Sequence, residues 1–182
     1  MTLPLYPALV ENSVHYDVRG SHRKFFGKTP EKIEVPGFEI KEVFMTTNNK
    51  NTIRGMHFQS DVPQPKIIKL ITGPKEGLLV RVLCCDETLP EFGEVREYNL
   101  TVETEERLYV PGKWALGYRA LEDYTKVLYL AGADFSPGGD TGIDPFDTEL
   151  PLNWGITKEE ALLSPRDLEL ESFSEFARKV GR

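Results

Sequence analysis

The sequence predicts an all-β fold, a sandwich or barrel, with short helices at its C-terminal end. Residues 30–130 are dominated by short apolar or alternating segments separated by glycine and proline turns, which is typical of such folds. Helical periodicity is confined to the end of the chain. A length of 182 residues with 40% hydrophobic side chains suits one domain with a sizeable core and is short for two. We therefore expect residues 1–182 to form a single domain.

Six segments carry the strand prediction. They are rich in β-branched, aromatic and other apolar residues, and several of them stop at a glycine. In one of them, GLLVRVLCC, nearly every residue is apolar, as in a strand that is buried on both faces. In chain order the segments are FEIKEVFMTT (38–47), KIIKLITG (66–73), GLLVRVLCC (77–85), VREYNLTVE (95–103), ERLYVPG (106–112) and KVLYLAG (126–132).

The helical signal follows a long loop. Residues 135–151, FSPGGDTGIDPFDTELP, are rich in Gly, Pro and Asp, and loops of this length are often functional or mobile. Thr157 begins a TKEE segment that resembles a helix capping box, and Ser172 begins a second one, SFSE. The residues that would form one apolar helical stripe after the second box are Phe173, Phe176, Ala177 and Val180.

The charge balance and the lack of a long apolar run argue against two classes of function. Lys and Arg number 22 and Asp and Glu number 29, which gives a net charge of −7. An acidic chain lacks the basic face that general nucleic-acid binding needs, although a local cluster of cations can still hold a small phosphate. The chain has no run of about 18 apolar residues, so we expect no membrane span.

The N-terminal segment and the cysteines indicate a cytoplasmic protein. The first 17 residues contain Pro4 and Pro7 and lack the basic region of a signal peptide. Cys84 and Cys85 are adjacent, and neighbours on a strand point to opposite faces, which disfavours a disulfide framework. Two reduced thiols fit a cytoplasmic location.

Three ionisable side chains within apolar segments are the first candidates for a functional role: His57 in RGMHFQ, Lys66 in QPKIIKL and Tyr129 in KVLYLAG. On sequence pattern alone, a lone histidine in a strand is more often a hydrogen-bonded core residue than a catalytic base. Tyrosine is likewise a common strand residue. Lys66 either extends to solvent or points a cation into a cavity. Arg54 and Arg19 precede glycines, as residues at strand entries or turns do.

Other catalytic and metal-binding motifs are missing from the sequence. It contains no GxGxxG, P-loop, CxxC pair, HExxH or GxSxG segment. A site of several histidines cannot be built around His57, because His15 and His22 are the only other histidines in the chain. We therefore expect no metal ion and no cofactor.

Several longer segments resemble one family. In chain order, DVRG, TIRGMHFQ, PQPKIIKLITG, LPEFGE, RLYVPGKWALGY, KVLYLAGADFSP and LSPRD are similar to segments of the dTDP-4-dehydrorhamnose 3,5-epimerase family. The resemblance covers residues 15–170, and RGMHFQ followed by QPK is its most specific part. It implies a cupin-like jelly-roll β-sandwich, a homodimer, and metal-free action on a nucleotide-linked 4-keto-6-deoxy sugar.

The resemblance implies four catalytic residues. His57 matches the base that removes a proton from a carbon next to the ketone. Asp167, in LSPRD, matches the acid that binds and orients this histidine. Tyr129 matches the tyrosine that returns a proton on the opposite face, and Lys66, like Arg54, matches a cation near the sugar and diphosphate.

The resemblance also implies four substrate-binding residues. Arg54 matches a cation near the sugar and diphosphate, Arg19 matches an arginine on the phosphate side, and Gln59 ends the RGMHFQ motif. Phe135 takes the place of an aromatic residue that stacks on the nucleotide base. The family's AHGF segment reads ALGY here, so that Leu116 replaces a histidine.

These residue types suit the implied chemistry. A neutral histidine is a suitable base near physiological pH for the weakly acidic proton next to a ketone. A lysine can stabilise the resulting enolate oxygen, and a tyrosine hydroxyl on the other face can complete an inversion. Three hypotheses remain at this point: an epimerase acting at carbon 3, carbon 5 or both, a keto-sugar isomerase that uses the same base, and a non-catalytic sugar-binding jelly-roll module.

Overall fold

Two antiparallel sheets of five strands each form the fold. The computed structural model describes residues 2–11, 13–24, 35–73, 77–104 and 106–182. The first sheet consists of β1 (Ala8–Glu11), β4 (Glu42–Asn48), β6 (Lys66–Thr72), β9 (Glu106–Val110) and β11 (Thr125–Ala131). Its strand order is β1–β9–β6–β11–β4.

The second sheet packs against the first. It consists of β5 (Ile53–Gln59), β7 (Leu78–Cys84), β8 (Val95–Leu100), β10 (Trp114–Ala120) and β12 (Asp140–Gly142). Its strand order is β12–β5–β10–β7–β8. A separate hairpin is formed by β2 (Ser13–Asp17) and β3 (Gly20–Lys24).

The predicted all-β sandwich is confirmed, and each of the six predicted segments contains a strand. The first three strands lie between residues 8 and 24, for which no strand was predicted, and the residues there whose burial is described are largely exposed. β10 was also not predicted as a separate strand. It contains Gly117, and glycine inside a strand weakens the pattern.

One of the two predicted capping boxes begins a helix. Ser172 and Glu175 form a complete capping box at the start of α2 (Phe173–Lys179), as predicted. The helix prediction at Thr157 is wrong, since residues 158–160 form a turn. The chain then runs beside β5, where the Ile53 N–H donates to the Leu162 carbonyl over 3.1 Å. This backbone pairing competes with continuation of a helix.

A second short helix, α1 (Pro165–Leu168), follows this pairing. Among the described residues, no helix has the length and apolar character that crossing a membrane requires.

Apolar side chains fill three layers. The main layer lies between the sheets and includes Ile68, Val82 and Val127. A second layer lies behind the second sheet, where Trp154 and the α2 residue Phe176 cover it. A third lies on the outer face of the first sheet.

Cys84 belongs to the main layer and Cys85 to the layer behind the second sheet, and both are free thiols. The two side chains therefore point to opposite faces of the second sheet, as predicted.

Candidate active site

A cavity of about 240 Å3 opens between the two sheets. Six of the eight predicted site residues line it: His57, Tyr129, Lys66, Arg54, Gln59 and Phe135. Asp167 contacts His57 from behind, and Arg19 lies elsewhere. The cavity therefore brings together most of the residues that the sequence predicted to act on a substrate.

A bulge in β5 places Arg54 and His57 on the same wall of this cavity. Across the ladder Arg54 pairs with Tyr118 and His57 with Leu116, so three steps on β5 oppose two on β10. The extra residue cancels the strict two-residue alternation of a strand. Gly55 makes the bulge possible, because a Cβ at this position would lie 2.4 Å from the Leu116 carbonyl oxygen.

His57 and Asp167 form a hydrogen-bonded pair. The distance from His57 Nε2 to Asp167 Oδ1 is 2.5 Å, and Asp167 is only 3% exposed. Burial by itself would raise the pKa of Asp167, but the hydrogen bond and charge of His57 outweigh it and lower this pKa. The carboxylate thus accepts the Nε2 proton, which leaves His57 Nδ1 as the nitrogen with a lone pair.

The sequence between Ser164 and Asp167 holds the carboxylate in place. Ser164 is the N-cap of α1, and its Oγ accepts a hydrogen bond from the Asp167 N–H over 3.1 Å. Pro165 occupies the first turn, where the proline ring fits the helical backbone.

Tyr129 projects into the cavity from β11 on the opposite sheet. Its ring stacks on Phe44 with 4.6 Å between the centroids. Burial, followed by the influence of Tyr118, holds the pKa of the Tyr129 phenol well above its ordinary value, while Arg54 lowers it. Tyr129 is therefore protonated near neutral pH and can donate a proton.

Lys66 stands at the start of β6 and faces the same cavity. Burial lowers its pKa to about 8, and the charge of Asp140 opposes that shift. Its Nζ lies 3.5 Å from the Gln64 carbonyl oxygen, which is a weak contact. The amine is thus a cation near neutral pH that is held at the cavity wall.

Gln59 and Phe135 belong to the rim of the cavity. The Gln59 amide donates to the Val62 carbonyl over 3.0 Å, and its oxygen accepts from the Ser136 N–H over 2.7 Å. Gln59 therefore holds the loop that carries Phe135. The Phe135 side chain is 53% exposed and offers an open aromatic face.

A family model described as dTDP-4-dehydrorhamnose 3,5-epimerase matches residues 7–175. The chain belongs to this family. A relative of that name from Methanothermobacter thermautotrophicus is 26% identical over 164 residues, which are 87% of this chain and 85% of the relative.

Solved structures of the family have the same fold. The 3,5-epimerase of Bacillus anthracis, with TDP and PPi bound, superposes with a TM-score of 0.82 at 26% identity and covers 91% of this chain and 93% of its own. For the Mycobacterium tuberculosis epimerase the TM-score is 0.83 at 25% identity, with 97% and 88% covered. The predicted cupin-like jelly roll is thereby confirmed, and this family member is a nucleotide-sugar epimerase.

Two charged cavity residues of this epimerase were not predicted from the sequence. Arg166 and Asp140 form an ion pair of 2.8 Å beside Lys66 and His57. Arg166 directly precedes Asp167 in LSPRD, and Asp140 lies in the loop that the sequence marked as functional or mobile. Two features of the sequence could have indicated them: Arg166 is adjacent to the predicted site residue Asp167, and Asp140 lies within the long loop.

Arg19 is the one predicted site residue that does not approach the cavity of its own chain. It lies on the β2–β3 hairpin, its side chain is 86% exposed, and it pairs with Asp17 over 2.6 Å. Its role on the diphosphate side stays a prediction.

Among the described residues, no group of three or more His, Cys, Asp or Glu side chains is placed to hold a metal ion. The metal independence of this epimerase stays a prediction.

Proposed function

We propose that the protein epimerises a dTDP-linked 4-keto-6-deoxy sugar at carbon 3, carbon 5 or both. In this mechanism His57 removes the proton next to the ketone, and Asp167 keeps the base oriented. Lys66 stabilises the enolate oxygen. Tyr129 then donates a proton to the opposite face of the same carbon.

One observation carries this proposal. His57 belongs to the second sheet and Tyr129 to the first, and both line a single cavity between them. A sugar ring held between the sheets would present one face to a base and the other to an acid. Inversion at a carbon needs this arrangement, whereas sugar binding alone does not.

The charge and the aromatic surfaces of the cavity support a nucleotide sugar as ligand. Arg54, Lys66 and Arg166 supply cations to an otherwise acidic chain, as a diphosphate requires. Phe135 offers its exposed ring for stacking with a nucleobase. The nucleotide dTDP is proposed from the names of the relatives.

Proton exchange in deuterated water tests this function. The protein is incubated with a dTDP-4-keto-6-deoxy sugar, and the position and configuration of the label are read by NMR. We expect label and inversion at carbon 3, carbon 5 or both, with the ketone left at carbon 4. The matched control is dTDP-glucose, which has no ketone and should take up no label.

The same experiment separates the two rival functions. A keto-sugar isomerase would move the ketone along the ring, and a sugar-binding module would leave the substrate unlabelled. Either result with a folded protein would contradict the proposal.

The pH dependence of kcat/KM should show the deprotonation of the Lys66 amine. An amine with a pKa of about 8 is charged below that pH and neutral above it. The stabilisation of the enolate by Lys66 should therefore be lost as the pH rises through 8, and kcat/KM should fall there. Lys66→Arg should keep the cation and move this alkaline limb upward. A kcat/KM profile of Lys66→Met that retains the limb would show that another group titrates.

Chelation should leave the activity unchanged. The proposed mechanism uses only side chains for proton transfer and for stabilising the enolate. We expect the full rate after prolonged treatment with EDTA and no stoichiometric transition metal by elemental analysis. Loss of activity that is restored by one added metal would overturn this mechanism.

A homodimer and a cytoplasmic location are also part of the proposal. The hairpin that carries Arg19 stands away from the cavity of its own chain, and in a homodimer this arginine would be available to the partner's substrate. The cytoplasmic location is supported by the two free thiols.

A further inference from the structure

The loop that carries Phe135 is hydrogen bonded to both sheets. We call residues 133–139 the Phe135 loop. On the side of the first sheet, the Glu42 carboxylate at the start of β4 accepts the Phe135 N–H over 2.8 Å. On the side of the second sheet, the Gln59 amide oxygen at the end of β5 accepts the Ser136 N–H over 2.7 Å. The backbone at and next to Phe135 is therefore bound from two directions.

A hydroxyl–carboxylate bond joins the same loop to the chain that follows β5. Ser136 Oγ donates to Asp61 Oδ2 over 2.5 Å. The other carboxylate oxygen, Asp61 Oδ1, accepts the Val62 N–H over 2.6 Å, so both oxygens of this carboxylate are engaged. The hydrogen bond from Ser136 lowers the pKa of Asp61, which is therefore ionised near neutral pH. Hydrogen bonds to an ionised acceptor are the stronger kind.

The absence of a side chain at Gly139 allows the loop to lie close to this carboxylate. A Cβ at this position would be 1.6 Å from Asp61 Oδ1, so a side chain here would displace the carboxylate. The Gly139 N–H donates to the Ser136 carbonyl over 3.1 Å, and the Gly139 carbonyl accepts the Ser60 N–H over 2.8 Å. Glycine thus lets the chain fold back over Asp61 while Ser136 stays within reach of it.

The polar contacts of the loop leave the Phe135 ring free. The side chain is 53% exposed at the rim of the cavity, so its own burial does little to hold it there. The loop contains one proline and two glycines, and glycine is costly to order. A loop that is ordered before the ligand arrives spares the ligand this cost on binding. The hydrogen bonds therefore prepare an exposed aromatic surface.

We propose that Ser136 and Asp61 are positioning residues that hold the Phe135 ring ready for a nucleobase and thereby set the preference of the site for a nucleotide over free pyrophosphate. The proposal rests on the function proposed above, in which Phe135 stacks on the base. Both residues act through the ring, because stacking requires the ring to be in place. A ligand without a base makes no use of the ring, so its affinity should not depend on the loop.

Ser136→Ala tests the proposal by calorimetry, because it removes the hydroxyl and keeps the N–H that donates to Gln59. The Kd of dTDP and the Kd of inorganic pyrophosphate are measured for each variant. We expect dTDP to bind about fivefold more weakly, which is a modest part of what base–aromatic stacking can contribute. The Kd of pyrophosphate should not change. Ser136→Thr keeps a hydroxyl and should bind both ligands as the wild type does.

Turnover provides a second measurement of the same variant. Ser136 does not line the part of the cavity that holds His57 and Tyr129. Ser136→Ala should therefore raise the KM of the dTDP-4-keto-6-deoxy sugar and leave kcat unchanged.

A double-mutant cycle shows whether the hydroxyl acts through the ring. Phe135→Ala removes the ring, so adding Ser136→Ala to it should cause no further loss of dTDP affinity. Asp61→Ala removes the acceptor and should match Ser136→Ala when the ring is present. The matched control is Thr88→Ala. The Thr88 hydroxyl also donates to a carboxylate, that of Asp86, over 2.7 Å, but neither residue lines the cavity, so neither Kd should change.

Three results would overturn the proposal. Unchanged dTDP affinity in Ser136→Ala would mean that the ring stays in place without the hydroxyl. Equal weakening of dTDP and pyrophosphate would mean that the whole cavity is disturbed. An equal loss of dTDP affinity with and without the Phe135 ring would mean that Ser136 acts elsewhere. If Ser136→Ala does not fold, Asp61→Ala in the same cycle decides.

The proposed function and the role of the loop can fail separately. If the wild-type protein labels the 4-keto sugar but binds dTDP no more tightly than pyrophosphate, the role of the loop is refuted and the epimerase function stands. If the protein takes up no label but the cycle gives the expected result, the function is refuted and Ser136 and Asp61 still position a ring that stacks on a base.

Discussion

Replacing His57 with asparagine should abolish proton exchange while the protein remains folded. Asparagine can still bond to Asp167 but cannot accept a proton from carbon. We expect label uptake in deuterated water to fall about a thousandfold, within the range that general bases contribute. Circular dichroism and thermal melting should show a folded protein that still binds dTDP, because the other cavity walls are unchanged.

The alternative role of His57 predicts the reverse pattern. If the histidine serves only as a hydrogen-bond partner for the buried Asp167, His57→Asn should chiefly lower the free energy of unfolding, by at most a few kcal/mol. Proton exchange of the substrate should then persist. Asp167→Asn provides the companion measurement. It leaves the base in place, so we expect a smaller loss of rate than in His57→Asn. A larger loss would mean that Asp167 does more than orient the histidine.

Replacing Tyr129 with phenylalanine should separate exchange from inversion. The ring would still stack on Phe44, so the melting temperature should change little. His57, Lys66 and Arg54 remain, so the enolate still forms and picks up solvent deuterium from the histidine side with retained configuration. Inverted product should fall about a hundredfold or more, because the donor on the opposite face is missing.

Two results would count against Tyr129 as the donor. Inversion at the wild-type rate would mean that water or another group delivers the proton. Equal loss of exchange and inversion would mean that the phenol contributes to forming the enolate. The positions of the label in the wild-type product also report whether one carbon or both are inverted. Leu116 forms an apolar part of the wall of this cavity.

The strands could be predicted where burial dictates the sequence pattern. β7 is buried along almost its whole length and reads as an apolar run, and Ser172 and Glu175 are close enough in sequence to specify the start of α2 locally. The Thr157 segment forms one of the two hydrogen bonds of a capping box, since the Thr157 N–H donates to the Glu160 carboxylate. No helix follows there, because pairing of Leu162 with the backbone next to β5 is a tertiary interaction that local sequence does not contain.

The sequence pattern alone named His57, Lys66 and Tyr129 as candidates, but their roles and the pairing of His57 with Asp167 were predictable only through the family resemblance. His57 and Asp167 are 110 positions apart, and no local pattern joins them. Strict alternation would put Arg54 and His57 on opposite faces of β5, and the bulge at Gly55 reverses that expectation. The Asp140–Arg166 pair depends on how the long loop returns to the sheet through β12, which composition alone does not fix.

The distance in sequence between His57 and Asp167 also makes orientation of the base depend on a segment 110 residues away. The segment that delivers Asp167 is tied down by isolated bridges from Thr52 to Leu162 and from Ile143 to Glu171. The same segment covers the apolar back of the second sheet. A nascent polypeptide that stops before this segment would have both cavity walls. Its base would not be oriented, and the apolar back of its second sheet would be exposed to solvent. Quality-control proteases that remove such truncated products would therefore discard enzyme whose base is not oriented.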